Sequence, residues 1–147
     1  GEHNKKLISE MPDVYRAPGS TAAEGKTNYL GIVGPNAAFS PRKTTTIVDI
    51  VNGTVQTMMI VEASDDAAVV WTRPRDISAD SEKPMDALVG LRDSGFLSVF
   101  ADGATHFISE DATKDFLQSL FTRNDRQPLD EMKRKKWVRF LRPTVSK

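Results

Sequence analysis

The sequence predicts an α+β fold in which a twisted antiparallel sheet is flanked by short helices. Three observations support this prediction. Apolar runs rich in β-branched and aromatic residues recur along the chain of 147 residues, Asp102-Gly103 joins two of them, and helical spacing of apolar residues follows. Strands that precede helices, rather than alternating with them, favour α+β over a doubly wound parallel sheet.

The centre of the predicted sheet is a hairpin over residues 96–108, FLSVFADGATHFI. Asp-Gly between alternating apolar runs is a strong hairpin signal, and in a type I′ turn both central residues take positive φ. A two-residue turn pairs Val99 with His106 and places Ser98 on the opposite face from His106. Both faces are largely apolar, so we expect both to be covered.

Elements before the hairpin follow from apolar spacing and from Gly and Pro breaks. The pattern predicts a short helix over 4–11 and strands over 29–33, 57–62 and 67–71, with a β-branched run at 44–51. Residues 72–90 lack periodicity and form an irregular loop. We expect a few apolar anchors to hold this loop: Trp71, Ile77, Met85 and Leu88.

Two helices are predicted after the hairpin. The first covers 112–121, is capped by Ser109 or Asp111, and presents an apolar stripe of Phe116, Leu117 and Leu120. The second covers 128–142 and is strongly basic. The predicted organisation is therefore one domain over 1–130 and a basic C-terminal tail with a helical pattern over 131–147.

Composition excludes several classes of chemistry. The chain has no cysteine, which excludes disulfides, thiolate zinc sites and cysteine nucleophiles. No apolar run reaches the roughly 18–20 residues of a membrane span. The net charge is zero, but residues 131–147 hold 7 basic residues against one acidic residue, so an acidic body precedes a basic tail.

Six blocks of sequence, in order, resemble a known family. They are NKKLISEMPDVYRAPGS, TNYLGIVGPNAAF, IVDIVNGTVQTMMIVEA, VVWTRPRDISADSEKP, FLSVFADGATHFISED and LFTRND, within residues 4–125. The chain resembles the planctomycete pilin-like domains, of prepilin or pseudopilin type, that share a His-x9-Asp-Gly signature. This family has no assigned function and is also filed under extracellular solute-binding proteins family 10.

The resemblance implies a pilin-like head domain without its N-terminal hydrophobic helix. It also implies an extracytoplasmic location in the cell envelope or periplasm, with anchoring through a segment absent from this chain. The implied role is non-enzymatic and structural, through protein partners of a cell-envelope assembly and without nucleic acid. Two positions depart from the family pattern: Arg92 replaces the signature His, and Ala17 stands where cysteine is common.

Acidic residues offer an alternative function as a binding module for calcium or a small solute. Calcium prefers several oxygen ligands, although no EF-hand spacing is present. The candidate ligands are Glu62, Asp65, Asp66, Asp76 and Asp80. No other cofactor is expected.

A hydrolase is the remaining alternative. It would combine Ser98 or Ser109 with His106 and Asp102, but there is no nucleophile elbow, and a packed His106 is the simpler interpretation. We expect Asp102-Gly103 to serve the backbone geometry of the turn. We expect Trp71 to be a core or loop anchor. Glu62 is expected to pair with Arg73 or Arg92, either as a structural device or as the lining of a pocket.

The basic tail interleaves cations with Trp137 and Phe140. Its interpretations are a frayed terminus, packing of Trp137 on the body, or contact with anionic lipid, nucleic acid or an acidic partner. The acidic body argues against nucleic acid.

Overall fold

A computed structural model describes residues 6–73 and 75–141. Its main feature is a six-stranded sheet in the order β5-β2-β3-β6-β7-β8, in which every neighbouring pair is antiparallel except β2 and β5. A separate antiparallel pair joins β1 and β4. The strands are β1 Lys26–Thr27, β2 Tyr29–Val33, β3 Met58–Glu62, β4 Val69–Val70, β5 Ile77–Ser78, β6 Gly95–Phe100, β7 Thr105–Ser109 and β8 Val138–Phe140.

The helices are short. They are α1 Met85–Leu88, α2 Lys114–Phe121 and α3 Glu131–Trp137, with single 3-10 turns at Leu7–Glu10, Asp13–Tyr15, Ile47–Asp49, Thr54–Gln56 and Asp65–Ala67. The predicted α+β class with a mostly antiparallel sheet is confirmed. Across 6–73 and 75–141, no helix has the length and hydropathy needed to cross a membrane.

One face of the sheet, here called the core face, carries the hydrophobic core. Residues in register across it include Leu30, Val61, Ser98 and His106. The apolar stripe of α2 lies in the same core cluster as Phe96 and Phe100 of β6. Burial of each large apolar side chain contributes about 1.5–3 kcal/mol. The opposite face, here called the open face, is half-buried rather than covered as predicted.

The hairpin turn differs from the predicted type I′. The loop has three residues, because Gly103 N donates to Phe100 O at 2.9 Å and Phe100 N donates to Ala104 O. Only Gly103 has positive φ, +82°. This is a type I turn followed by a left-handed glycine, and Asp102 Oδ1 fixes it by accepting from Ala104 N at 2.9 Å.

The three-residue loop shifts the register by one residue from the prediction. Val99 pairs with Thr105 and Ser98 with His106. When the register shifts by one residue, the side chains of one strand that were expected to face those of its partner lie on the opposite side of the sheet. Phe96, Phe100 and Ile108 therefore share the core face, and the predicted separation of Ser98 from His106 is wrong.

The predicted helix over 128–142 is too long. Asp130 caps α3 by accepting from Met132 N and Lys133 N, and after Trp137 the chain extends as β8 along β7. Trp137 is 8% exposed and its ring lies 5.2 Å from that of Phe116, so packing on the body is the confirmed interpretation.

The other predicted elements are present, but several differ from the prediction in their bounds, type or capping residue. Strands at 29–33 and 57–62 are present as β2 and β3, and the buried stripe of α2 is confirmed, although Thr113 is its N-cap rather than Ser109 or Asp111. The strand over 67–71 shrinks to β4 in the smaller sheet. The helix predicted over 4–11 is a 3-10 turn at Leu7–Glu10, its first residues lying outside the described part.

Two segments differ from the prediction in kind. The loop over 72–90, predicted as irregular, holds β5 and α1, anchored by buried Ile77 and Leu88. The β-branched run over 44–51 forms no strand; it contains the 3-10 turn at Ile47–Asp49, and Ile47, Val48 and Val51 are exposed.

Candidate functional site

An ion pair between buried Glu62 and half-buried Arg92 lies on the open face where β3 ends. Glu62 is 3% exposed, and its carboxylate accepts from both Nε and Nη2 of Arg92, with Nη2 at 2.8 Å from Oε1. This is the bidentate geometry in which guanidinium and carboxylate groups bind most strongly. Of the two partners predicted for Glu62, Arg92 forms the pair and Arg73 does not.

A tight turn places Arg92. Arg92 bridges to Gly95 across the turn, and Ser94 between them adopts a left-handed φ of +65°. The hydrogen bond with Glu62 is the main cause that raises the pKa of Arg92 above its ordinary value. The guanidinium is therefore charged throughout the physiological range.

The ion pair borders a cavity of about 300 Å³ on the open face. Apolar side chains from the sheet, Ile60, Leu97 and Val99, form most of its wall, and Tyr29 lies beside Glu62 in the register. Burial, and then the nearby charge of Glu62, raises the pKa of Tyr29, so its phenol stays protonated. The site therefore combines a paired carboxylate and guanidinium with apolar walls.

Protein donors occupy both carboxylate oxygens of Asp65, one of the predicted metal ligands. Asp65 accepts from Ser20 Oγ at 2.6 Å, from Thr21 N and Oγ1 at 2.7 Å each, and from Asn28 Nδ2 at 2.9 Å. These bonds, led by Ser20, hold the pKa of Asp65 well below its usual range. Asp65 thus fastens the N-terminal loop to the sheet.

The other candidate ligands are not assembled into a metal centre. Asp76 accepts from Gly31 N at 2.8 Å, and Glu62 is paired with Arg92. Asp76 borders one cavity together with Asp66 and another together with Asp80. Among the residues that the structure describes, no group of three or more His, Cys, Asp or Glu side chains is arranged to hold a metal ion.

The proposed hydrolase residues come together only in part. Ser98 and His106 are cross-strand neighbours on the core face, but Asp102 serves the hairpin turn. His106 is 6% exposed, with its ring 4.4 Å from that of Phe100 and 5.5 Å from that of Phe140. The histidine is packed, as expected, and no Ser-His-Asp triad forms from these residues.

Because His106 is buried, we expect the free energy of unfolding to depend on pH. Desolvation lowers the pKa of His106 below its ordinary 6.5, against smaller opposing effects of the Ala104 backbone and Asp102. The folded state therefore binds a proton on the His106 imidazole less readily than the unfolded state does. The free energy of unfolding is accordingly highest above about pH 6.5 and decreases as the pH falls below that value. The loss is at most about 1.4 kcal/mol per pH unit.

The measurement is denaturant unfolding between pH 7.5 and pH 5, compared with His106→Phe. The variant should lose most of the acid slope in this range, since the two proteins differ in no other titratable group. Equal slopes would show that His106 is not the group responsible.

One buried residue had no signal in the sequence. Arg123 is 4% exposed, and its Nη1 donates to the carbonyl oxygens of Pro35 at 3.0 Å and Ala37 at 2.6 Å. Its backbone N–H donates to Asn36 O, and its carbonyl accepts from Asn52 N, both at 2.8 Å. Arg123 therefore fixes two loops to the end of α2.

Those loops carry a group of exposed apolar side chains, here called the apolar patch. Its most exposed members, Ile47 and Val48, are 76% and 89% exposed. The patch consists of Phe39, Ile47, Val48, Val51 and Val55. A cavity of about 490 Å³ beside it is lined in part by Phe39, Ile47, Ile50 and Met59.

Comparison of the chain with protein-family models, with curated proteins and with solved structures finds no match. The class that the structure defines is an α+β domain with a mostly antiparallel sheet. The resemblance to pilin-like domains rests on the sequence blocks alone.

Proposed function

We propose that this protein is a non-enzymatic, extracytoplasmic domain of pseudopilin type that serves a structural or assembly role through protein contacts. The resemblance of its sequence blocks supports the family and the location. The apolar patch is the observation that carries the protein-contact role. Five large apolar side chains are exposed within residues 39–55, and concentrated apolar exposure is typical of surfaces that bind a partner.

The patch is held in a fixed conformation. Asp49 caps the 3-10 turn at Ile47–Asp49 by accepting from Thr46 N at 2.9 Å and Thr46 Oγ1 at 2.8 Å, and Lys43 Nζ lies 2.7 Å from its other oxygen. Arg123 fixes the neighbouring loops. A surface that is already ordered loses less conformational entropy when a partner binds.

A small-solute module is supported less well. Its best site is the cavity at the Glu62–Arg92 pair, whose volume of about 300 Å³ is at the lower end for ligand sites. Both carboxylate oxygens of Glu62 already accept from Arg92. The apolar patch therefore favours protein contact over solute binding.

The test is site-specific photo-cross-linking of the full-length protein in its native host, followed by cell fractionation. A cross-linker at Val48 should give adducts of defined mass in the envelope fraction, whereas one at exposed Lys83 should not. Val48→Asp should remove the adducts formed from Ile47 without changing the melting temperature, because Val48 is 89% exposed. Cytoplasmic fractionation, or no adduct from either patch position, would overturn the proposal.

A further inference from the structure

The last helix and strand, α3 and β8, form a segment that few interactions join to the rest of the domain. This segment, residues 130–141, is here called the arm, and residues 122–129 before it form no helix or strand. Within the described part of the chain, the ion pairs and side-chain hydrogen bonds of the arm are all internal to it. A segment held in this way opens at a lower free energy than the whole domain.

The pairing of β8 with β7 holds the arm on the body, together with three side-chain contacts. The Trp137 ring lies 5.2 Å from that of Phe116, and the Phe140 ring lies 5.5 Å from that of His106. On the open face, the Arg139 guanidinium lies 5.0 Å from the ring of Phe107. The arm therefore depends on one short edge strand and on aromatic packing that includes a titratable ring.

His106 is buried beneath the arm as a neutral side chain. Its ring lies between Phe100 of β6 and Phe140 of β8. Among the described residues, its buried Nδ1 has no hydrogen-bond partner, and neither does Oγ of Ser98, its neighbour across the strands. A doubly protonated imidazole has two N–H donors, and burying a charge without acceptors for its donors is costly. Contact with water would remove that cost.

The charges around His106 add to this effect through the arm. Asp102 in the hairpin turn favours the protonated ring, whereas Arg134 of α3 opposes it. Arg139 of β8 lies on the other face, over Phe107. The remaining side chains against the ring are uncharged: Ser98, Phe100 and Phe140. The arm holds five basic and two acidic residues, a net charge of +3, so its departure removes repulsion from a protonated His106.

We propose that the arm is an acid-released segment: protonation of His106 detaches α3 and β8 from β7 while the rest of the sheet stays folded. This inference goes beyond the proposed function and uses neither the apolar patch nor the Glu62–Arg92 cavity. Release leaves the outer edge of β7 unpaired, and an unpaired edge is a template for pairing with another strand. Because one proton is taken up, the equilibrium constant for release rises at most tenfold per pH unit.

Trp137 reports directly on the position of the arm, because it is 8% exposed while β8 is paired with β7. In a Trp71→Phe background it is the only tryptophan of the chain. Between about pH 7.5 and pH 5, its emission should shift to longer wavelength and its quenching by acrylamide should increase. Both changes follow from transfer of the indole from the protein interior to water.

Amide hydrogen exchange in the native chain separates release of the arm from global unfolding. After correction for the intrinsic pH dependence of exchange, the amides of Val138–Phe140 should lose protection on acidification, by up to tenfold per pH unit. The amides of Gly95–Phe100 should keep their protection over the same range, because β6 lies between β3 and β7 in the interior of the sheet.

Two variants of His106 test whether its proton is the cause. His106→Phe keeps an aromatic ring between Phe100 and Phe140, so its arm should stay paired at about pH 5. His106→Gln keeps a polar side chain that does not titrate, so protection of its arm should not change with pH, whatever its level. Phe140→Ala is the positive control. It uncovers the ring, so the arm should lose protection already at about pH 7.5 and respond less to acid.

Three outcomes would overturn the acid-released arm. They are full protection of Val138–Phe140 at about pH 5, an unchanged pH dependence in both His106 variants, and a loss of protection in β6 that accompanies the loss in β8. None of these results bears on the apolar patch, whose role depends on cross-linking from Val48. Conversely, absence of adducts from Val48 would leave the release of the arm intact.

Discussion

Replacing Arg92 by alanine is expected to lower the free energy of unfolding by about 3 kcal/mol, the lower end for a broken buried pair, because the Arg92 side chain is itself 31% exposed. The reason is that Glu62, 3% exposed, would lose the two donors that compensate the desolvation of its carboxylate. Breaking one partner of a buried pair leaves the other charge uncompensated, which costs far more than the net contribution of the pair. Chemical denaturation monitored by circular dichroism measures the change.

The control is the double variant Glu62→Met, Arg92→Met. It replaces both members of the pair by apolar side chains and should recover most of the lost stability, since neither charge is then buried. Tyr29 offers a second measurement. Burial is the larger cause of its raised pKa and Glu62 the next, so the phenol should titrate closer to its ordinary value of 10.0 in the double variant. A double variant as unstable as Arg92→Ala would show that the pair is not the source of the effect.

Local periodicity was sufficient to predict the longer strands β2, β3, β6 and β7 but not the register of the hairpin. β2 and β3 lie where apolar alternation placed them, because a strand's pattern is contained in its own residues. Asp102-Gly103 is compatible with both a type I′ turn and a type I turn followed by a left-handed glycine. The observed register places Phe96 and Phe100 on one face with Ile108, in the same core cluster as the apolar stripe of α2. This cluster joins residues from separate elements, so local periodicity does not specify it.

The candidate site was predictable only where both members of a contact are distinctive residues. Glu62 and Arg92 were singled out together, but the choice between Arg92 and Arg73 depends on a turn whose geometry the sequence does not specify. Arg123 binds carbonyl oxygens, which every residue carries, so its partners leave no sequence signal. β8 was read as helix because Val138–Phe140 is too short to show a period of two.

Replacing Gly95 by alanine is expected to cost about 3 kcal/mol, at the upper end for overpacking, because the sheet leaves no room for a Cβ at this position. An added Cβ would lie 2.0 Å from Ile108 O and 2.8 Å from Cζ of Phe107. The first of these atoms is backbone of the paired strand, so the clash can be relieved only by separating β6 from β7. Denaturant unfolding gives the size of the effect. Amide hydrogen exchange gives its position, with the largest loss of protection expected at Glu110, whose N–H donates to Ser94 O.

Gly34→Ala is the matched control. Its added Cβ would lie 3.0 Å from the methyl group of Ala79 and 3.5 Å from that of Ala37, with no backbone atom closer than 4.0 Å, so about 1 kcal/mol is expected. Because Arg92 and Gly95 close the same turn, their effects should not add. Once Gly95→Ala has moved the turn, removing Arg92 should cost much less than it does in the native chain. Fully additive losses would mean that Gly95 has no part in placing the guanidinium on Glu62.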